Sequence, residues 1–133
     1  MSKYSKYIKI PFKPLGRDFN GCDCYGLVRL ILLNEFDTEL PSWDQDYTNT
    51  TDKKVLESCI SDRYGYFEKT NDPKAGDIVL MRLCSAFPVH IGLMIDDKKF
   101  IHIRQGENVS TGKVNEHKYN RRIAGFYRWC VRL

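Results

Sequence analysis

Between Cys24 and about Phe36 apolar residues fill nearly every position, with Leu27, Val28, Leu30, Ile31, Leu32 and Leu33 interrupted only by Arg29. The run is too long for a typical strand and does not alternate, which predicts a helix buried nearly all round. Asp23 stands where it can cap that helix. Upstream, Pro11, Pro14, Gly16 and the pair Asn20-Gly21 predict a loop that ends at Asp23, because proline and Asn-Gly favour turns over helix interiors. From Thr50 to Ser61, Val55, Leu56, Cys59 and Ile60 recur at helical spacing among polar residues. That pattern predicts a second, amphipathic helix ending near Tyr64-Gly65.

Beyond Pro73 the pattern changes to short β-rich runs at Asp77 to Leu83, Val89 to Asp96, Lys99 to Arg104 and Ile123 to Val131. Asp96-Asp97-Lys98 reads as a tight hairpin connection between the second and third. Alternation then places Ile91, Leu93 and Ile95 toward the helices and His90, Gly92 and Met94 on the other side. On the following strand Phe100 and His102 share one face and Ile101 and Ile103 the other. Helices first and strands afterwards predict an α+β domain, with the helices packed on one side of an antiparallel sheet.

Composition narrows the class. The chain has 133 residues, 42% hydrophobic and 29% charged, values of an ordinary folded domain rather than a disordered chain. With no repeat, low-complexity tract or flexible linker, residues 1–133 are expected to form one domain. The formal charge of +4 comes from Lys and Arg scattered along the chain, so a nucleic-acid groove is not indicated, whereas an anionic polymer such as a cell wall would suit a mildly basic surface. No apolar run is long enough for a signal peptide or a membrane span. Synthesis in the cytoplasm is therefore expected. Five cysteines (Cys22, Cys24, Cys59, Cys84, Cys130) include no CxxC pair, which argues for free thiols over a disulfide framework. Cys59 and Cys84, among apolar neighbours, read as small buried residues.

The candidate chemistry starts at Cys24. A helix N-terminus favours the thiolate through its dipole and unpaired amides. Gly26 would let another backbone or a substrate come close, and amides of the first turn could stabilise a developing oxyanion. The adjacent Asp23 opposes the thiolate and makes a cationic partner necessary. Histidine is the natural partner, since its charge changes near neutrality. His90 and His102 reach the same face if their strands pair through the predicted hairpin. His117, in a polar stretch, reads as surface. A lone Cys or a lone His would each be unremarkable, but a helix-start Cys with two His on adjacent strands meets the requirement for nucleophile, base and orienting group.

Gly21-Cys22-Asp23-Cys24-Tyr25-Gly26-Leu27-Val28 resembles the Asp-Cys-x-Gly-Leu-Val nucleophile motif of the NlpC/P60 peptidases. Val89-His90-Ile91-Gly92-Leu93 resembles their base-bearing strand, Lys99-Phe100-Ile101-His102 the strand that orients the base, and Ala75-Gly76-Asp77-Ile78-Val79 the stretch before the histidine. The motifs occur in the family's order and extend from about Pro11 to Arg128. Pro11 to Asp18, Leu40-Pro41-Ser42 and Arg121 to Arg128 are further similar to the branch found in phage tail assembly and tail-tip proteins.

The resemblance implies a papain-like α+β fold with the nucleophile at a helix N-terminus, and hydrolysis of amide bonds in peptidoglycan stem peptides, commonly between γ-D-glutamyl and a diamino acid. By motif, Cys24 is the nucleophile, His90 the base and His102 the residue that fixes the tautomer of His90. Asp23 is implied to bind the amino end of the stem peptide. Phe12 stands where many members carry an aromatic hydroxyl, with Tyr25 or Tyr7 as candidate substitutes. Neither a metal nor another cofactor is expected. The implied partners are the stem peptide and other phage tail proteins, without nucleic acid or a membrane span, and the implied location is the virion tail acting at the cell wall. Three rival readings are a structural tail component whose site is weak or unused, a zinc site formed by Cys22, Cys24, His90 and His102, and the same catalytic machinery acting on another amide or ester.

Overall fold

The computed structural model describes residues 2–42, 67–82 and 90–130. The chain begins with a 3₁₀ helix, Ser2–Tyr7, whose Tyr4 and Tyr7 are both buried. A loop follows, containing a two-residue ladder between β1 (Arg17–Asp18) and β2 (Gly21–Cys22). The helix α1 spans Cys24–Phe36, the limits expected from its apolar run. Asp23 caps it: its side chain accepts the Gly26 amide at 2.7 Å. The helix ends at Asp37, which adopts the left-handed conformation and donates its amide to the Leu32 carbonyl, a chain reversal that satisfies one terminal carbonyl.

Among the described residues, six strands form one antiparallel sheet: β3 (Phe67–Thr70), β4 (Ile78–Met81), β5 (His90–Met94), β6 (Lys99–His102), β7 (Ser110–Lys113) and β8 (Ile123–Trp129). Their spatial order is β3-β8-β4-β5-β6-β7. The four strands read from the sequence are present, each shorter than its apolar run. The expected hairpin joins β5 to β6 in the register Leu93 to Ile101 and Met94 to Phe100. Its turn is fixed by the Asp96 carboxylate, which accepts the amides of Lys98 and Lys99 at 2.7 and 2.6 Å. The two edge strands β3 and β7 were not expected. The predicted helix from Thr50 to Ser61, Cys59 and Cys84 lie outside the described residues.

The sheet buries both faces. On one, Ile91, Leu93, Ile101 and Ile103 pack in a core with Leu27, Val28 and Ile31 of α1. On the other, Val79, Met81, Met94, Phe100 and Tyr119 form a second, smaller cluster. This division matches the alternation in the sequence. The stretch before β4 is tied to the last strand, for Arg128 of β8 donates to both carboxylate oxygens of buried Asp77, at 2.9 and 2.8 Å. Such a two-point contact fixes orientation as well as charge. The mixed helix and antiparallel-sheet architecture is therefore as expected.

Candidate active site

The nucleophile candidate sits where two secondary structures meet. Cys24 opens α1 and is 6% exposed. Amides of Tyr25 and Ile91 both direct hydrogen bonds at its sulfur. The Ile91 contact brings the start of α1 against the start of β5, one residue from His90. Gly26 permits this packing from the other side, since a Cβ there would run into the Gly16 carbonyl oxygen.

Burial decides the resting state of the thiol. Loss of solvent, followed by the Asp23 charge, pushes Cys24 up to about 12, and the two amides only partly oppose this. Burial therefore opposes the thiolate that the helix N-terminus favours, and adds to the opposition expected from Asp23. Desolvation of the charged form outweighs the helix end and favours the protonated thiol. Cys22 is also buried and pushed up to about 12 by the same leading cause; its sulfur lies 3.2 Å from the Asp18 carbonyl oxygen. Cys130 is exposed.

The histidines meet as the sequence pattern suggested. His90 Nε2 and His102 Nδ1 are 2.8 Å apart. His102 is 1% exposed and enclosed edge-on by Phe100 and Tyr119, with ring centroids at 4.9 and 5.8 Å. Burial, aided by the positive charges of Arg104 and Lys118, pushes His102 down to about 4. His102 is therefore neutral at pH 7, and its Nδ1 lone pair can accept a proton donated from His90 Nε2. In that arrangement the His102 proton sits on Nε2. His117 is exposed, as expected.

Asp23 and Tyr25 lie beside the nucleophile, both fully buried. Asp23 accepts from the Gly26 amide, from Arg17 Nη1 at 2.9 Å and from the Leu15 amide at 3.3 Å. The Tyr25 hydroxyl donates to the Pro41 carbonyl at 2.6 Å, and its ring lies under the Arg17 guanidinium. The Tyr7 hydroxyl donates to Glu35 at 2.6 Å, so both tyrosines considered as substitutes at Phe12 direct their hydroxyls at protein groups. Phe12 itself is partly buried against the main core.

Arg17 is the site residue whose role the sequence did not reveal. It also donates to the Gly16 carbonyl at 2.9 Å and, through Nε and Nη2, to the Ser42 carbonyl at 3.1 and 2.9 Å. One guanidinium thus joins the entry loop, the helix cap and the chain beyond the helix. Cys22, Cys24, His90 and His102 do not form a metal-ligand cluster; no such cluster occurs among the described residues.

Comparison with known proteins places this geometry. The model of the NlpC/P60 family matches residues 9–128. No curated protein matches the sequence. Among solved structures, the chain is similar to an NLP/P60-family lipoprotein-like protein of Staphylococcus aureus, at TM-score 0.66 and 18% identity over 99% of this chain and 40% of that one. It is similar to the NlpC/p60 domain of the peptidoglycan hydrolase SagA, at TM-score 0.59 and 22% identity over 97% and 94% of the two chains. A Bacillus cereus protein described by the same family name aligns at TM-score 0.63 and 20% identity, over 92% of this chain and 36% of that one. The chain therefore spans less than half of the Staphylococcus and Bacillus proteins but nearly all of the SagA domain. These likenesses establish the papain-like α+β fold.

Proposed function

Since the chain belongs to the NlpC/P60 family, we propose that it is a cysteine peptidase that hydrolyses an amide bond in peptidoglycan stem peptides, the γ-D-glutamyl to diamino acid bond. The observation that carries this reading is the 2.8 Å contact between His90 and His102, on a strand whose next amide reaches the Cys24 sulfur. Support for the substrate comes from the likeness to the NlpC/p60 domain of SagA, a peptidoglycan hydrolase.

His90 takes the Cys24 proton as the sulfur attacks the carbonyl carbon, so a thiolate need not accumulate in the buried resting site. The resulting imidazolium donates from Nε2 to neutral His102, which shares the charge and holds the ring in place. Asp23 already occupies the amides of Gly26 and Leu27, leaving the Cys24 amide as the first-turn donor for the oxyanion. His90 then gives its proton to the leaving amine as the C–N bond breaks. A water molecule, deprotonated by His90, cleaves the thioester and restores the thiol. In this scheme Asp23 can receive the amino end of a stem peptide only in competition with Arg17, while Tyr25 forms the wall behind the nucleophile.

The finer assignment is to a phage tail or tail tip, where the enzyme would open the wall locally alongside other tail proteins. It rests on the sequence likeness of Pro11 to Asp18 and Arg121 to Arg128 to that branch. No described helix is long and apolar enough to cross a membrane. Mass spectrometry of products from defined muropeptides tests the activity. Cleavage at one amide bond, lost in Cys24→Ala, is expected; an intact panel, or equal products from the variant, would refute it.

A further inference from the structure

The basic residues that look scattered in the sequence are gathered by the fold. A cleft of about 440 Å³ is lined by Arg82, His117, Lys118, Arg121 and Arg122. Its backbone is firmly tied: the Arg82 amide donates to the Arg122 carbonyl at 2.8 Å, and the Arg122 amide to the Tyr119 carbonyl at 2.8 Å. Among the described residues, no ion pair engages Arg82, Lys118 or Arg121. The neighbouring acid, Glu116, turns its carboxylate to the Lys113 amide at 2.8 Å. The permanent cations Arg82, Lys118 and Arg121 around one concavity repel each other, and a concave wall concentrates their field. An anion between them relieves both effects.

The cleft also adjoins the catalytic pair. Arg82 follows Met81, which faces His90 across the β4 to β5 ladder. Lys118 lies over the Tyr119 ring at 5.0 Å, and His102 meets the same ring at a centroid distance of 5.8 Å. Among the described residues no Phe, Tyr or Trp lines the cleft, so the large aromatic platforms on which single-stranded nucleic acid is held are not among them. We propose that this cleft binds an oxyanion, a carboxylate or phosphate carried by the wall polymer, and so anchors the polymer beside the catalytic histidines. Only the identity of the polymer rests on the peptidase reading; the anion chemistry stands on the cleft itself.

Calorimetry with the full chain carrying Cys24→Ala, which prevents turnover, tests the cleft directly. The probes are a muropeptide with free carboxylates, its amidated counterpart, a glycerol-phosphate oligomer and a DNA duplex of equal charge. The cleft variant Arg82→Gln/Lys118→Gln/Arg121→Gln is compared with Lys9→Gln/Lys69→Gln/Lys74→Gln, which removes the same charge elsewhere on the exposed surface. Saturable binding is expected for the carboxylated muropeptide, the phosphate oligomer or both, and whichever binds identifies the source of the anion. The cleft variant should bind about tenfold more weakly, and the charge-matched variant as wild type. Raised salt should weaken binding further. Equal loss in the two variants, no binding of either anionic wall probe, or equally tight binding of DNA through the cleft would overturn the proposal. Binding through the cleft without any muropeptide cleavage by the wild-type chain would refute the peptidase reading while sustaining the anion site. Cleavage with binding untouched in the cleft variant would do the reverse.

Discussion

The two faces of the β5 to β6 hairpin use alternate residues of the same strands for opposite purposes. Toward α1 stand Ile91, Leu93, Ile101 and Ile103, all fully buried and wholly apolar. On the reverse stand His90, Gly92, Met94, Phe100 and His102, with Tyr119 closing over them. A slip of one residue in register would exchange the faces. The apolar face therefore sets where the imidazoles stand, while the reverse face sets what state they are in. Burial there keeps His102 neutral, and the same physical cause keeps Cys24 protonated.

The comparison can be broken first from the apolar side. Leu93→Ala should cost roughly 2–5 kcal/mol, the usual penalty for a fully buried leucine, read as a lower denaturation midpoint. If the face only positions the histidines, the protein that stays folded should retain much of its turnover per molecule. The reverse face should respond to pH. His102 is pushed down to about 4, so between its unfolded value near 6.5 and about 4 the unfolded chain binds more protons. Stability is therefore complete above pH 6.5 and falls as pH drops toward 4, by up to about 3 kcal/mol. Denaturation across this window should show that slope, and His102→Asn should remove its His102 component.

Smaller changes sharpen the same contrast. A Cβ at Gly92 would stand 3.1 Å from the Ile101 carbonyl oxygen and 3.2 Å from His102 Cβ. Gly92→Ala should thus cost about 1–3 kcal/mol by overpacking, with turnover falling further than stability because His102 must shift. Ile101→Val, on the apolar face of the facing strand, should cost only about 0.5–1.5 kcal/mol and leave turnover per folded molecule unchanged. If Ile101→Val lowers turnover as much as Gly92→Ala does, the two faces are not separable.

The sequence discloses those features whose cause is local. The limits of α1 follow from a nearly continuous apolar run behind a capping aspartate, and the faces of β5 and β6 follow from alternation. Strands β3 and β7 escaped because Phe67–Thr70 and Ser110–Lys113 contain a single large apolar residue between them. As edge strands they need little burial, so pattern carries little signal. The 3₁₀ helix Ser2–Tyr7 was missed although Tyr4 and Tyr7 stand three residues apart, the period of that helix. Arg17 lies within the loop likened to the family, yet its role depends on Ser42, brought near only by folding. The basic cleft likewise joins Arg82 to the 117–122 segment. The upward push on the Cys24 thiol is another product of tertiary burial, whereas local helix position favours the thiolate.

The central claim is that His90 draws the proton from a thiol that burial otherwise keeps neutral. Its most direct measurement is the rate of alkylation of Cys24 against pH, by peptide mapping, in the wild type and in His90→Ala, with exposed Cys130 as internal reference. The wild type should be alkylated at Cys24 near neutral pH. In His90→Ala that reaction should recede into strongly alkaline solution, while Cys130 reacts as before and circular dichroism is unchanged. Equal alkylation of Cys24 at neutral pH in the two folded proteins would contradict the account.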